Sequence, residues 1–244
     1  MRIVEALLSW KNIHMSTEQK KQPGDGVMDH YLGERGREYF AWQGEDGLTQ
    51  ALFNIHLWRP FISYDDDILD FGCGGGFLLK LLEGKKKVGI EVNPYACESA
   101  RSLGIEVYTT ISEAGNKFDK IISSHALEHT PHPRQVLLEL KEKLRDTKSR
   151  MLLLLPLDDW RSSANKRYDA SDKNMHLHTW TPQLLGNLLN SCGMKIEKIQ
   201  IINHAWPPRS AMVWKISPSL FHLLAYWCSI LKKQRQLFCI ASLR

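Results

Sequence analysis

The chain has no apolar run long enough to span a bilayer, no cysteine pair at CxxC spacing, no block of like charge and no low-complexity linker. Each absence excludes a class of protein. The most hydrophobic stretch, Leu220 to Leu231, runs for about a dozen residues where a transmembrane helix needs about 20. Cys73, Cys97, Cys192, Cys228 and Cys239 are odd in number and scattered. That excludes a disulfide framework or a zinc ribbon and points to a reducing compartment, read as the cytoplasm. The amino-terminal "MRIVEALLSWKNIHMSTEQKKQPGDG" has Glu5 inside its short apolar part and lacks a small-residue cleavage site. It reads as a loose helix on a polar tail rather than a secretory signal. Lys and Arg number 32 against 27 Asp and Glu, and the net charge of +5 is spread over short runs such as Gly84 to Lys87. A nucleic-acid binder concentrates its charge on one face, so nucleic acid is not the expected partner. With 244 residues and only 10 prolines, the chain can bury one sizeable core but not two.

Inside these bounds strand-like and helix-like segments alternate from residue 67 onward. "ILDF", "KVGIEV", "IEVYTT", "FDKIISS" and "MLLLLPL" read as strands. Between them lie "FLLKLLEG", closed by Gly84, "PYACESARSLG", opened by Pro94 and closed by Gly104, and "PRQVLLELKEKL", all read as helices. The apolar runs barely alternate, as in central strands covered on both faces. Regular β-α alternation predicts an α/β fold with an open, mostly parallel sheet and ligands bound beyond the carboxyl ends of its strands. Downstream, "TPQLLGNLLNSCG" is a helix capped by Thr181, with Pro182 in its first turn and Gly193 at its end. "MKIEKIQIIN" and "QLFCIASL" read as further strands. Residues 28–66 read as helical cover, with Phe40 and Trp42 as core.

The stretch "ILDFGCGGGFLLKLL" (Ile68 to Leu82) is a strand that ends in an acid and runs through four glycines into a helix. Such a turn offers bare backbone N–H groups and the positive end of a helix dipole. It departs from the dinucleotide fingerprint G-x-G-x-x-G, because Phe77 stands where the third glycine should be. It fits D-x-G-x-G-x-G, with Asp70, Gly72, Gly74 and Gly76 in register. An acid there sits badly beside a pyrophosphate and well beside a cation, so the ligand should carry an ammonium group.

On these residues the chain resembles the class I S-adenosylmethionine-dependent methyltransferases, in particular a branch acting on small molecules or glycans. Asp70 to Gly76 matches the family's first motif, and Glu91 in "VGIEVNP" stands 21 residues after Asp70, where the family places a second acid. "FDKIISSHALEHTPHP" (Phe118 to Pro133) is similar to the strand-four segment, and "HLHTWTPQLLGNLL" to a downstream segment of that branch. The resemblance covers roughly residues 60 to 205. It implies a Rossmann-like doubly wound, mostly parallel seven-stranded sheet with an antiparallel last strand and N-terminal helices. It implies S-adenosyl-L-methionine as cofactor, leaving as S-adenosyl-L-homocysteine. Asp70, Gly72, Cys73, Gly74 and Gly76 would meet the amino acid part, and Glu91, with Val92 and Asn93, the ribose. Thr110 and Ile111 fall where relatives bind adenine, without the acid that many of them carry. Ser124 and His125 would lie nearest the cofactor from strand four. The expected organisation is a tail over 1–27 and a methyltransferase domain over 28–244. Within it lie a cover or lid over 28–66, a cofactor-binding core over 67–157, an acceptor-side insertion over 158–180 and a C-terminal part over 181–244. That last part holds an apolar helix, 217–231, before the last strand.

Methyl transfer from a sulfonium needs alignment, and a base only where the acceptor is a hydroxyl. Histidine suits that task near neutral pH. His125, His129 and His176 are the candidates, with His178 beside Trp180 partly structural. "HALEH" also matches the H-x-x-E-H zinc pattern, but "TPHP" follows at once and the long helix that pattern needs is missing, so no metal is expected. Asp158, Asp159, Arg161, Arg167, Tyr168 and Asp172 suit a polyhydroxylated or phosphorylated acceptor. Tyr31 or Tyr39 could close over the cofactor. The expected function is O-methylation of a small-molecule, glycan or lipid-linked acceptor, with peripheral membrane contact through residues 217–233. A methyltransferase acting on nucleic acid or protein, and a cofactor-binding partner protein without turnover, are the alternatives.

Overall fold

The computed structural model describes residues 29–115, 117–157, 168 and 172–244. Its centre is a seven-stranded sheet in the order β3-β2-β1-β4-β5-β7-β6. The strands are β1 (Asp67–Phe71), β2 (Lys86–Ile90), β3 (Glu106–Tyr108), β4 (Lys120–Ser124), β5 (Arg150–Pro156), β6 (Met194–Ile202) and β7 (Gln236–Leu243). β1 to β5 run parallel, and β7 lies antiparallel between β5 and β6. This is the Rossmann-like arrangement expected above. Strand order reverses between β1 and β4, and that switch point is where a crevice opens in such sheets.

The α-helices are α1 (Gly33–Trp58), α2 (Phe77–Leu81), α3 (Pro94–Ser102), α4 (Pro133–Glu142), α5 (Pro182–Ser191), α6 (Ser210–Ile216) and α7 (Pro218–Lys232), with short 3-10 turns at Asp29–Tyr31, Arg59–Phe61 and Leu127–His129. Three of the helix starts are capped by a side chain. Asn93 Oδ1 accepts from Tyr95 N at 3.0 Å, Thr181 Oγ1 from Leu184 N at 3.1 Å and Ser217 Oγ from Leu220 N at 3.2 Å, each followed by proline at the first helical position. Gly104 and Gly193 take the left-handed conformation expected of them. Gly84 does not end α2, which stops at Leu81; a side chain at Gly84 would collide with Ile68 instead.

Both faces of the sheet are covered. Met151, Leu153 and Leu155 of β5 face Leu137, Leu140, Leu185 and Leu189 on α4 and α5. Leu152 and Leu154 point the other way, toward Ile55, Trp58, Leu79 and Ala100 on α1 to α3. The cover over residues 28–66 is mostly one 26-residue helix. Phe40 is buried in it as expected, but Trp42 is not core: it lies on the outer side, 40% exposed. α6 was not foreseen, and it begins at Arg209 in left-handed backbone. Among the described residues no helix is long and apolar enough to cross a membrane.

Candidate functional site

A cavity opens beyond the carboxyl ends of β1, β2 and β4, and α1 forms its lid. Its floor is the glycine turn. Gly72 and Gly76 adopt φ of 74° and 77°, and neither could carry a side chain: a Cβ on Gly72 would lie 2.3 Å from Ala126 Cβ, and one on Gly76 2.8 Å from Ala100 Cβ. Gly74 has open space around it, and its φ of 52° is left-handed backbone that glycine adopts without strain. Gly72 N and Cys73 N donate to Ile90 O, tying the turn to β2. The Cys73 thiol packs against Gly89 and its pKa is pushed up by burial, so it is inert and contributes through its backbone.

Two acids meet at this turn. Glu91 Oε2 accepts from Gly74 N at 2.9 Å, and its Oε1 accepts from Val92 N and Asn93 N, each at 2.8 Å. Burial raises its pKa and these three donors work against that rise. A carboxylate has about four acceptor positions, so one remains for a ligand. Asp70 is buried with no hydrogen-bond partner for Oδ1, and burial, followed by the charge of Glu91, pushes its pKa up to about 8. A buried acid lacking a counter-charge, on the wall of a cavity, fits a cationic ligand.

The lid is aromatic. Tyr31 and Tyr39 line the cavity with ring centroids 5.1 Å apart, and burial raises both phenols, so they stay neutral. Asn93 Nδ2 donates to Gly36 O at 2.8 Å and holds the start of α1 over the site. His30 Nε2 contacts Lys173 O at 3.1 Å, which ties the start of the lid to the segment from residue 172 onward.

On the opposite wall the turn Leu127–His129 follows β4. Leu177 N and His178 N donate to the backbone oxygen of Glu128, at 2.9 and 3.2 Å, and so pin the 172–178 segment beside it. That brings the His176 and His129 rings to 4.9 Å. The Glu128 carboxylate is fully buried, with Oε1 3.5 Å from His125 Nδ1 and 4.0 Å from His129 Nε2. His125, at φ of 52°, also contacts Gln236 Oε1 through Nε2 at 3.1 Å, while Gln236 Nε2 donates to His204 O. Burial would lower its pKa, but Glu128 and Gln236 outweigh it and the net direction is up. Both nitrogens of His125 are therefore engaged, by Gln236 and Glu128, which leaves it a poor base. Glu128 is correspondingly held below the ordinary carboxylate value: burial acts to raise it and His125 overcomes that. His129 goes the other way, lowered by burial more than Glu128 raises it, and is neutral at pH 7. Glu128, His129 and His176 place ligand atoms within 4.8 Å of one another, a spacing that could also hold a cation.

Of the residues singled out from sequence, Asp70, Gly72, Cys73, Gly74, Glu91, Val92, Asn93, Ser124, His125 and His129 line the cavity. Gly76 lies beneath it against α3. His176 stands behind His129, and His178 lies near Trp180, ring centroids 6.0 Å apart, as expected. Thr110 and Ile111 are elsewhere: Thr110 N donates to the Glu113 carboxylate at 3.0 Å and Ile111 is in the core. Asp158, Asp159, Arg161 and Arg167 lie outside the described residues; Tyr168 is exposed and Asp172 accepts from Asn174 N. The sequence reading missed the α1 wall, Gly47, Gln50, Asn54 and Trp58. Their helical spacing is a legible stripe, and Asn54, buried with both side-chain polar atoms unpartnered, is its conspicuous member.

The family model described as "Methyltransferase domain" matches residues 32–199. The chain is 27% identical to an uncharacterized methyltransferase of Schizosaccharomyces pombe, over 46% of this chain and 50% of that one. It is also 27% identical to the mitochondrial ubiquinone biosynthesis O-methyltransferase of the same organism, over 54% and 55%. It thus spans about half the length of the curated relatives it matches. A solved SAM-dependent methyltransferase from Archaeoglobus fulgidus shares the fold, with a TM-score of 0.57 at 18% identity over 84% of this chain and 99% of that one.

Proposed function

The chain belongs to the methyltransferase-domain family, and from that premise we propose that it binds S-adenosylmethionine and methylates a hydroxyl on a small molecule or a glycan or lipid-linked precursor. One observation carries the reading: the cavity wall holds both a half-buried histidine, His129, whose pKa is lowered, and a buried acid that lacks a counter-charge, Asp70. Asp70 would hold the ammonium of the amino acid part, Glu91 the ribose, and Gly72 and Gly74 would admit the backbone-close approach. The bound cofactor supplies an electrophilic methyl carbon on a sulfonium. The protein aligns the acceptor with it, an effect worth about 7–11 kcal/mol in well-oriented systems. His129 takes the hydroxyl proton, and Glu128, 4.0 Å away, stabilises the imidazolium so formed. Tyr31 and Tyr39 exclude water from above. The O-methyltransferase named among the relatives supports a hydroxyl acceptor.

The test is incubation with methyl-labelled S-adenosylmethionine and a panel of hydroxylated acceptors, with His129→Gln alongside. The variant should lose about 10²- to 10⁴-fold in kcat while its affinity for S-adenosylhomocysteine stays unchanged. Activity of the native enzyme should fall on acidification only below the ordinary histidine range, because the His129 pKa is lowered. Unchanged kcat in His129→Gln would remove the base; failure of the native protein to bind either cofactor form would remove the whole reading.

A further inference from the structure

The last acidic residue in the chain is Glu197; the 47 residues after it carry seven Lys and Arg and no Asp or Glu. α6 and α7 lie in this segment. α7 buries Phe221, Ala225 and Ser229, one residue per turn, and its Phe221 ring packs on Phe53 of α1 with centroids 4.2 Å apart. The opposite side is not polar. Leu220, Leu223, Trp227 and Leu231 form an outward stripe along α7, with Trp227 56% and Leu231 81% exposed and Tyr226 and Ile230 flanking it, and Ile216, the last residue of α6, is 70% exposed just before α7 begins. A helix on a water-facing surface shows the reverse pattern, and an apolar patch of this extent marks an interaction site. Lys215 stands at one end of the stripe and Lys232, Lys233 and Arg235 at the other.

We infer that this face docks on the surface of an anionic phospholipid bilayer. The apolar stripe supplies the part that enters the acyl boundary, Tyr226 and Trp227 the aromatic side chains that settle at headgroup depth, and the basic rim the attraction to lipid phosphate. The helix lies in the interface and does not cross it: its 15 residues make about 22 Å of helix, short of the hydrocarbon core. A second copy is the poorer occupant, since a two-fold pairing through this face would set the basic ends of each stripe in a patch with no acid from α6 or α7 to meet them. The surface reading stands apart from the reaction proposed above. The two meet at α1, where Phe53 packs on α7 and its neighbour Asn54 lines the cavity.

Flotation of the full chain with phosphatidylcholine vesicles, with and without phosphatidylglycerol, tests this. The native protein should float with the anionic vesicles, less so with the neutral ones, and added sodium chloride should weaken the association. The double variant Trp227→Glu, Leu231→Glu should bind at least about tenfold more weakly, and Lys233→Glu with Arg235→Glu should lose the preference for anionic lipid. An unchanged thermal midpoint and S-adenosylhomocysteine affinity report intact folding; Leu223→Ser serves if the double variant does not fold. The inference is overturned if the native protein stays in the aqueous fraction with anionic vesicles or if the variants float equally well. It is overturned equally by a native dimer that Trp227→Glu, Leu231→Glu converts to monomer without any effect on flotation, which would put a second copy on this face.

Discussion

Replacing Glu91 with alanine is expected to abolish measurable binding of S-adenosylmethionine and to lower the thermal midpoint by about 10 °C. The reason is in its three bonds. Gly74 N, Val92 N and Asn93 N all donate to one buried carboxylate, and hydrogen bonds to charged groups contribute about 1.5–3 kcal/mol each while an unsatisfied buried donor costs a similar amount. Even with strong non-additivity the loss should reach about 4 kcal/mol, which for a domain of this size is of the order of 10 °C. Glu113 provides the contrast. It also accepts three bonds, from Thr109 N, Thr109 Oγ1 and Thr110 N, but it is exposed. Glu113→Ala should therefore cost less than about 1 kcal/mol and leave cofactor affinity alone. Glu91→Gln comes closer to separating folding from binding, because its amide oxygen can still accept from Val92 N and Asn93 N while the charge and the second acceptor oxygen are lost. It should fold and bind S-adenosylhomocysteine at least about 100-fold more weakly. Tight binding by folded Glu91→Gln in calorimetry would show that this carboxylate anchors the loop only.

Much of this was legible because it is local. The strands of the sheet, the cap at Thr181 and the glycine turn from Gly72 to Gly76 follow from residues adjacent in sequence, and Asp70 and Glu91 stand at the ends of strands that prove to be neighbours. What could not be read depends on distant contacts. His176 reaches His129 only because two backbone N–H groups of a separate segment bond to Glu128 O. His125 carries the letter of a base, yet Gln236, 111 residues away, takes one of its nitrogens. In the turn after β3, Glu113 accepts from Thr109 N and Thr110 N, and neither Thr110 nor Ile111 is among the residues that line the cavity. The Gly47-Gln50-Asn54-Trp58 stripe of α1 is visible in the sequence as one helix face, but helical spacing alone does not distinguish a cavity wall from a core.

Asp70→Asn is expected to do two opposite things: stabilise the ligand-free protein at pH 8 and destroy cofactor binding. The Asp70 pKa in the folded chain, about 8, lies above the ordinary value of 3.8, chiefly through burial and then through Glu91. Between those values the native state holds a proton that the unfolded chain has lost, so stability falls as pH rises through that window and levels off above about pH 8. An amide never ionises. Asp70→Asn should therefore flatten this decline and raise the midpoint at pH 8 by a few degrees, with little difference near pH 4. The binding prediction follows from the same acid. A ligand ammonium beside Asp70 favours the carboxylate, so at pH 7 the native protein should release close to one proton when it takes up S-adenosylmethionine. Calorimetry in two buffers of different ionisation enthalpy measures that number directly. Asn cannot release the proton or supply the charge, and the variant's affinity should fall by at least about 100-fold. If Asp70→Asn binds as the native protein does, or if no proton leaves on binding, then the acid at the end of β1 is not there for the cation. In that case its burial would have to be explained by Glu91 and the turn alone.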